Sequence, residues 1–376
     1  APGRSIAEGR PGDTPVRCTG EGGDGEVKRM TYMSAFSRPL SPDEITEIGT
    51  YAARRNAQDG VTGVLLTLGS VFFQIIEGED DAIDDLYSRV LRDDRHTDVI
   101  CLRSEPDATS RLFPDWSMNV FDLDHVGGDV VDPLKLMLGR MGEAQQIVER
   151  YTQPAVSRIM AHGLNPLDVP LCKVDRLVLF SDMVAFSAIS DRLPIEDVSE
   201  LVSAYLEVCS SAIVHRGGEV TKFLGDGVMA YFDADGTDDA LQSCVDIQQQ
   251  LRRLRERAPA RSGLRLLFSG FGLALGQVVE GSMGSSVKMD YTIIGEPVNT
   301  AARVEALTRT LDLPVLMTEA VAGTARRPWD IRFVGDFDLG RDDPMAVFAL
   351  DTGAADSVGM QSAVAEYLDD IAAART

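Results

Sequence analysis

The sequence predicts an α+β protein with two folded units joined by helices. Three observations carry that reading. At 376 residues the chain is longer than one hydrophobic core usually serves. Short apolar runs of strand character alternate with segments of helical spacing in both halves. Between Asp122 and Cys172 the strand signals stop and only helical spacing continues. Hydrophobic residues make up 44% and charged residues 25%, a globular composition that excludes a chain disordered throughout. The net charge of -23 repels a phosphate backbone and argues against a nucleic-acid partner. No run reaches the ~18 apolar residues of a membrane span. The first 26 residues lack the apolar core of a signal peptide. The five cysteines are widely spaced with no C-x-x-C pair, so no zinc or disulfide framework is expected and a reducing cytoplasm fits.

Residues 1–26, rich in Gly, Pro and charge, read as a flexible tail. From Val27, VKRMTYMSA reads as a strand. Ser41-Pro42-Asp43-Glu44 then opens a helix with Ser41 as N-cap, Pro42 at its first position and Glu44 closing a capping box. VTGVLLTL and VFFQIIEG are strands joined by Gly69-Ser70, a two-residue loop suited to a type II′ hairpin. DAIDDLYSRVLRD has helical spacing, and DVICLRSE and DWSMNVFDL read as strands. This β-α-β-β-α-β-β order suits a split β-α-β sheet with both helices on one face.

Residues 125–172 form the expected helical connector. Leu134, Leu138, Met141, Val148 and Tyr151 recur near helical spacing, Pro154 breaks the pattern, and a short helix follows over Ala155–His162. The second unit, 173–351, opens with RLVLFSD, an apolar run suited to a strand buried on both faces. IEDVSELVSAYLEVCSSAIVHR reads as a helix ending at Gly217-Gly218, and EVTKFLGDGVMAYF as a hairpin. A helix near 237–256, strands within LRLLFSGFGLALGQVVEG and a helix from Val298 to Leu311 continue the unit. Residues 352–376 add a helical extension, read as a surface helix.

Polar groups on otherwise apolar strands mark the candidate sites. Gln74 shares a face with Phe72 and Ile76 and needs a partner for its amide. The same parity aligns Met30, Tyr32 and Ser34 in the first strand and Trp116, Met118 and Val120 in the last. Each residue alone fits an ordinary core with satisfied polar tips. Taken together, TYMSAFSRPL, RRNAQDGVTGVLL, VFFQIIEGE, DDRHTDV and FPDWSM resemble the BLUF family of flavin-binding blue-light sensors, over residues 27–124. The resemblance implies a ferredoxin-like domain holding a flavin, FAD or FMN. It makes Tyr32 the electron donor to the excited flavin and Gln74 the amide that bridges the two and rearranges in light. It also implies that Asn56 contacts the ring's carbonyl and N3-H edge, that Arg89 and Asp93 form a pair near O2, and that Ser34, Trp116 and Met118 relay the change. For Arg89 and Asp93, an ordinary i,i+4 ion pair is the other reading.

In the second unit Asp182 ends a buried strand, and the turn Met183-Val184-Ala185-Phe186-Ser187 can present N–H groups to an anion. Asp226, in Gly225-Asp226-Gly227, equally fits an Asp-Gly hairpin turn. LVLFSDMVAFS, GGEVTKFLGDGVMAYF and DYTIIGEPVNTAARVEALT resemble the catalytic domain of class III nucleotidyl cyclases in the family's order. That resemblance implies that Asp182 and Asp226, with the Met183 carbonyl, hold two Mg²⁺ ions. It implies that Asn299 and Arg303 orient the ribose and stabilise charge on the α-phosphate, while Phe186 and Ser187 are expected to bind substrate through the anion-binding turn that follows Asp182.

The resemblance makes Lys222 and Thr292 the base-reading pair; by hydrogen-bond inventory Lys222 can donate to adenine N1 and Thr292 can accept from N6, so ATP is expected over GTP. A Thr hydroxyl also donates, which loosens the discrimination. In such cyclases the metal aspartates and the Asn/Arg pair of one site come from different subunits, so a homodimer is expected, with the stripe from Leu134 to Tyr151 as candidate seam. The expected activity is blue-light-activated synthesis of cyclic AMP, with a light-regulated guanylate cyclase or a non-catalytic flavin sensor as alternatives.

Overall fold

The computed structural model describes residues 27–128, 131–162, 164–285, 287–340, 343–352 and 359–375. The tail expected over 1–26 lies outside the described residues. The chain divides into two compact units, Ala1–Val169 and Pro170–Thr376.

The first unit is built on a sheet of β1 (Val27–Phe36), β2 (Thr62–Leu68), β3 (Val71–Gly78), β4 (His96–Ala108) and β5 (Asn119–Asp122). Its order is β4-β1-β3-β2-β5, the ferredoxin-like arrangement with one strand added at the edge. Helix α1 (Pro42–Gln58) starts at the expected capping box, with both reciprocal bonds between Ser41 and Glu44 present. Gly69 takes φ 58° in the hairpin turn, and Leu68 pairs with Val71 across it. Helix α2 (Asp80–Val90) joins α1 on one face, over Met30, Tyr32, Phe72 and Ile76.

The last strand is shorter than its apolar pattern suggests. Pro114 turns the chain, the Trp116 N–H donates to the Phe113 carbonyl at 3.1 Å, and apart from a bond from the Gly63 N–H to the Trp116 carbonyl the ladder with β2 begins only at Asn119. Trp116 and Met118 therefore precede the strand. Helix α3 (Val131–Tyr151) comes close to the opposite face, where Gly142 lies beside Val71 and Met33, and α4 (Pro154–Ala161) packs on β4. Along α3, Leu138 is buried, whereas Met141 and Tyr151 are exposed; the side chains of Leu134 and Val148 lie outside the described residues.

The second unit contains β6 (Cys172–Met183), α5 (Phe186–Arg192), α6 (Ile195–His215), β7 (Glu219–Leu224), β8 (Gly227–Asp233), α7 (Thr237–Arg257), β9 (Ser269–Gly284), β10 (Met289–Ile294) and α8 (Glu296–Leu311). It closes with β11 (Val315–Thr318), α9 (Glu319–Thr324), β12 (Ile331–Phe337), β13 (Met345–Leu350) and α10 (Met360–Arg375). The sheet order is β12-β13-β11-β9-β6-β8-β7, with β10 paired to β9. Leu177, Val178 and Leu179 of β6 are all fully buried, on alternating faces, as a central strand covered on both sides requires.

Two sequence expectations change here. The segment Gly263–Leu266 is a 3₁₀ turn begun by the Ser262 side chain, so β9 starts only at Ser269. Helix α10 buries Met360, Val364 and Leu368 in the core shared with α6 and α7, rather than lying on the surface.

Helix α8 lies directly on β9 because Gly272 has no side chain. A Cβ there would fall on the Glu305 amide nitrogen and the Ala301 carbonyl oxygen, both backbone atoms of α8. Gly272→Ala is expected to lower stability by about 1–3 kcal/mol, read as a shift of the urea unfolding midpoint. An unchanged midpoint would contradict this packing.

Candidate functional site

In the first unit, register brings the polar residues together. Tyr32 of β1 stands opposite Gln74 of β3. The Tyr32 hydroxyl donates to Gln74 Oε1, and Gln74 Nε2 donates to Met118 Sδ at 3.4 Å. The chain is dry: Tyr32 is 1% exposed and Gln74 7%. Burial, reinforced by the Asp93 charge, holds the phenol above its ordinary pKa and keeps it a neutral donor. Ser34 Oγ lies 2.7 Å from His96 Nδ1, and burial pushes that imidazole down to about 4. Asn56, also buried, donates to the Ser117 carbonyl at 3.0 Å and so ties the end of α1 to the segment entering β5.

Two expected relationships differ. Arg89 and Asp93 do not pair. Helix α2 ends at Val90, so Asp93 lies beyond the helical face that would align the two. Arg89 Nη2 instead meets Asp59 Oδ2 at 3.2 Å, and Asp93 is bound by Arg95 Nε at 2.9 Å, whose guanidinium holds the carboxyl below its usual range. Arg95 and His96 were visible in DDRHTDV, but no periodicity singled them out. Trp116, expected to share a role with Met118, stacks on Phe113 at 5.3 Å, while Met118 meets Gln74.

Two buried amides, a phenol and a hydroxyl thus line the apolar face beneath α1 and α2. This donor set fits the polar edge of a planar heteroaromatic ring.

In the second unit, β6 and β8 pair so that Ser181 faces Val228, which sets Asp182 beside the β7–β8 turn. Gly225 takes φ 71° and Leu224 pairs with Gly227, so the turn is Gly225-Asp226 rather than Asp226-Gly227. Asp182 and Asp226, 44 positions apart in sequence, meet here. Burial raises the Asp182 carboxyl first, the neighbouring Asp226 raises it further and Glu305 adds to both, against the opposing charge of Arg309. Two carboxylates under mutual repulsion, at a strand end beside the Met183 carbonyl, fit a divalent cation site.

Behind the pair, the buried Tyr205 hydroxyl bonds Ser181 Oγ at 3.0 Å and Ser269 Oγ at 2.8 Å, and Ser269 Oγ donates to the Asp182 carbonyl at 3.2 Å. Phe186 and Ser187 open α5 directly after Ala185, which is held at φ 58°. Lys222 follows a bulge in β7, and β10, which carries Thr292, packs against β7. The Thr292 hydroxyl is buried at 6% exposure with no hydrogen-bond partner among the described residues, as an acceptor waiting for a ligand would be.

Asn299 and Arg303 are exposed on α8, where Arg303 donates to the carbonyls of Leu339 and Gly340. Among the described residues neither bonds Asp182 or Asp226. The α8 residue that does is Arg309, whose Nη2 pairs with Asp182 Oδ2 and lies 3.3 Å from Glu305 Oε2. Sequence reading missed Arg309, Glu305 and Tyr205; only the i,i+4 spacing of the first two gave a signal.

Comparison with known proteins agrees with both halves. The family described as BLUF, sensors of blue-light using FAD, matches residues 27–119, and the adenylate and guanylate cyclase catalytic domain matches 174–350. The photoactivated adenylate cyclase subunit beta of Euglena gracilis is 32% identical over 302 residues, 80% of this chain and 35% of that protein. The alpha subunit from the same organism is 30% identical over 305 residues, 80% of this chain and 29% of that one. The chain thus spans about a third of the length of these curated relatives. The solved structure of a bacterial light-regulated adenylyl cyclase superposes with a TM-score of 0.82 at 38% identity, covering 91% of this chain and 99% of that one. The chain belongs to the family of light-regulated adenylyl cyclases in which a BLUF domain precedes a class III cyclase catalytic domain.

Proposed function

We propose that the protein is a blue-light-activated adenylate cyclase that converts ATP to 3′,5′-cyclic AMP and pyrophosphate. The observation that carries this reading is the meeting of Asp182 with Asp226 at the exit of a buried strand. Those carboxylates and the Met183 carbonyl would hold two Mg²⁺ ions, which supply activation of the ribose 3′-hydroxyl and charge neutralisation on the triphosphate. Lys222 donates to adenine N1 and the unpartnered Thr292 hydroxyl accepts from the N6 amine. Phe186 and Ser187 present backbone N–H groups at the start of α5. Asn299 orients the ribose, and Arg303 leaves the Leu339 and Gly340 carbonyls to meet charge building on the α-phosphate. The 3′-oxygen bonds to the α-phosphorus as the bridging oxygen leaves with pyrophosphate.

Because Asn299 and Arg303 stand clear of the aspartates within one chain, we assign each site to a homodimer, with one copy supplying the carboxylates and the other the Asn/Arg pair. The exposed Leu136, Met137, Met141 and Tyr151 of α3 offer an apolar seam.

In the sensor, Tyr32, Gln74, Asn56 and Ser34 would hold a flavin, whose ring supplies blue-light absorption and an acceptor for the Tyr32 electron. Gln74 then exchanges hydrogen-bond partners. Two contacts carry the change outward. Gln74 Nε2 bonds Met118, which leads into β5 and α3. The Tyr32 ring meets Tyr87 edge-on at 5.2 Å, and the Tyr87 hydroxyl donates to the Ala161 carbonyl at the end of α4. Reorienting the Gln74 amide shifts both helices and so the balance between two arrangements of the catalytic pair.

Tyr32→Phe is expected to bind flavin yet give equal cyclic AMP formation in dark and blue light; retained photoactivation would contradict the relay. Asp182→Asn is expected to lose activity by at least about 10³-fold in light and dark alike, whereas turnover near wild type would remove the metal assignment. With equal ATP and GTP, the wild-type product is expected to be mainly cyclic AMP, and a mainly cyclic GMP product would favour the guanylate cyclase reading.

A further inference from the structure

The carboxylate pair does not stand alone. Asp182 is partly buried, Asp226 faces it, and Glu305 of α8, only 9% exposed at its side chain, contributes a third negative charge to the same neighbourhood. Burying so much like charge is costly without a counter-ion. Arg309 supplies it: a single guanidinium nitrogen serves both Asp182 Oδ2 and, at 3.3 Å, Glu305 Oε2. The two carboxylates lie on different elements, β6 and α8, and the Arg309 side chain that meets both is 42% exposed. Lysine or histidine in this position would be able to shed its charge; arginine has to move.

We propose that Arg309 is a built-in counter-ion that holds Asp182 until a divalent cation arrives, competes with that cation for Oδ2, and is then retained on Glu305 one helical turn away. This rests on Asp182 as a metal ligand and adds a positioning residue that the cyclase reading does not assign. A guanidinium and a divalent cation drawn to the same carboxylate oxygen repel each other, so the apparent metal affinity is reduced to the extent that Arg309 occupies Asp182. The same helix carries Asn299 and Arg303 and packs on β6 and β9, so releasing Arg309 also removes one of the ties between α8 and β6.

The test is a titration of the full chain with Mn²⁺ alone, without nucleotide, reading free ion by electron paramagnetic resonance. Arg309→Gln is expected to bind Mn²⁺ roughly 3- to 10-fold more tightly than wild type. The gain should persist at about 0.5 M salt, where charges not in contact are screened. Asp182→Asn should lose the site. Unchanged or weaker binding by Arg309→Gln, or a gain that vanishes with salt, overturns the counter-ion role while Asp182→Asn still upholds the metal assignment. Mn²⁺ binding by Asp182→Asn as tight as wild type overturns both. Arg309→Met, which keeps the stem, replaces Arg309→Gln if the latter does not fold.

Discussion

The antiparallel pairing of β6 with β8 is the constraint on which the catalytic half depends. Ser181 opposite Val228 fixes where Asp182 leaves the sheet, and the two-residue turn at Gly225 fixes where Asp226 stands. A slip of one residue would turn Asp182 into the opposite face and bury an unanswered charge. The register is held by the buried run Leu177–Leu179 and by the Tyr205 hydroxyl bonded to Ser181 and Ser269 behind the site. Of the two neighbouring carboxylates at this point, Asp182 is paired with Arg309.

The sensor half uses the same device of strand register for a different end. Tyr32 opposite Gln74 makes a buried hydrogen bond inevitable, and Met118 completes the chain toward β5. Because the phenol stays neutral and the amide has both a donor and an acceptor, the group at the centre of the sheet can be rearranged without moving a charge through the core. In the proposed relay the outlets are backbone connections, β5 into α3 and the Ala161 carbonyl of α4, so a side-chain event would be handed to helices.

Much of this was legible in the sequence wherever one local rule decided the outcome. The Ser41 capping box, the Gly69-Ser70 hairpin and the apolar run of β6 each follow from backbone chemistry. Parity placed Gln74 on one face with Phe72 and Ile76, and Tyr32 on one face with Met30 and Ser34. What failed depended on where an element stops or on contacts distant in sequence. The family resemblance pairs Asp93 with Arg89, but α2 ends at Val90, so neither that pair nor the i,i+4 one forms. Trp116 was put in a strand that Pro114 delays to Asn119. The α10 segment looked like a surface helix because its buried stripe is narrow: Met360, Val364 and Leu368. Arg309, 127 positions from Asp182, carried no motif of its own.

One consequence joins these halves. Within one chain Arg303 rests on the Leu339 and Gly340 carbonyls and does not bond Asp182 or Asp226, so under the proposed shared-site reading a single copy would hold only half of each site. Light would then act by changing how two such halves meet. The most direct test mixes Asp182→Asn protein with Arg303→Ala protein, each inactive alone, under blue light with ATP and Mg²⁺. Random pairing into dimers with shared sites predicts recovery of about a quarter of wild-type cyclic AMP formation. A mixture that stays as inactive as its components would contradict the shared site.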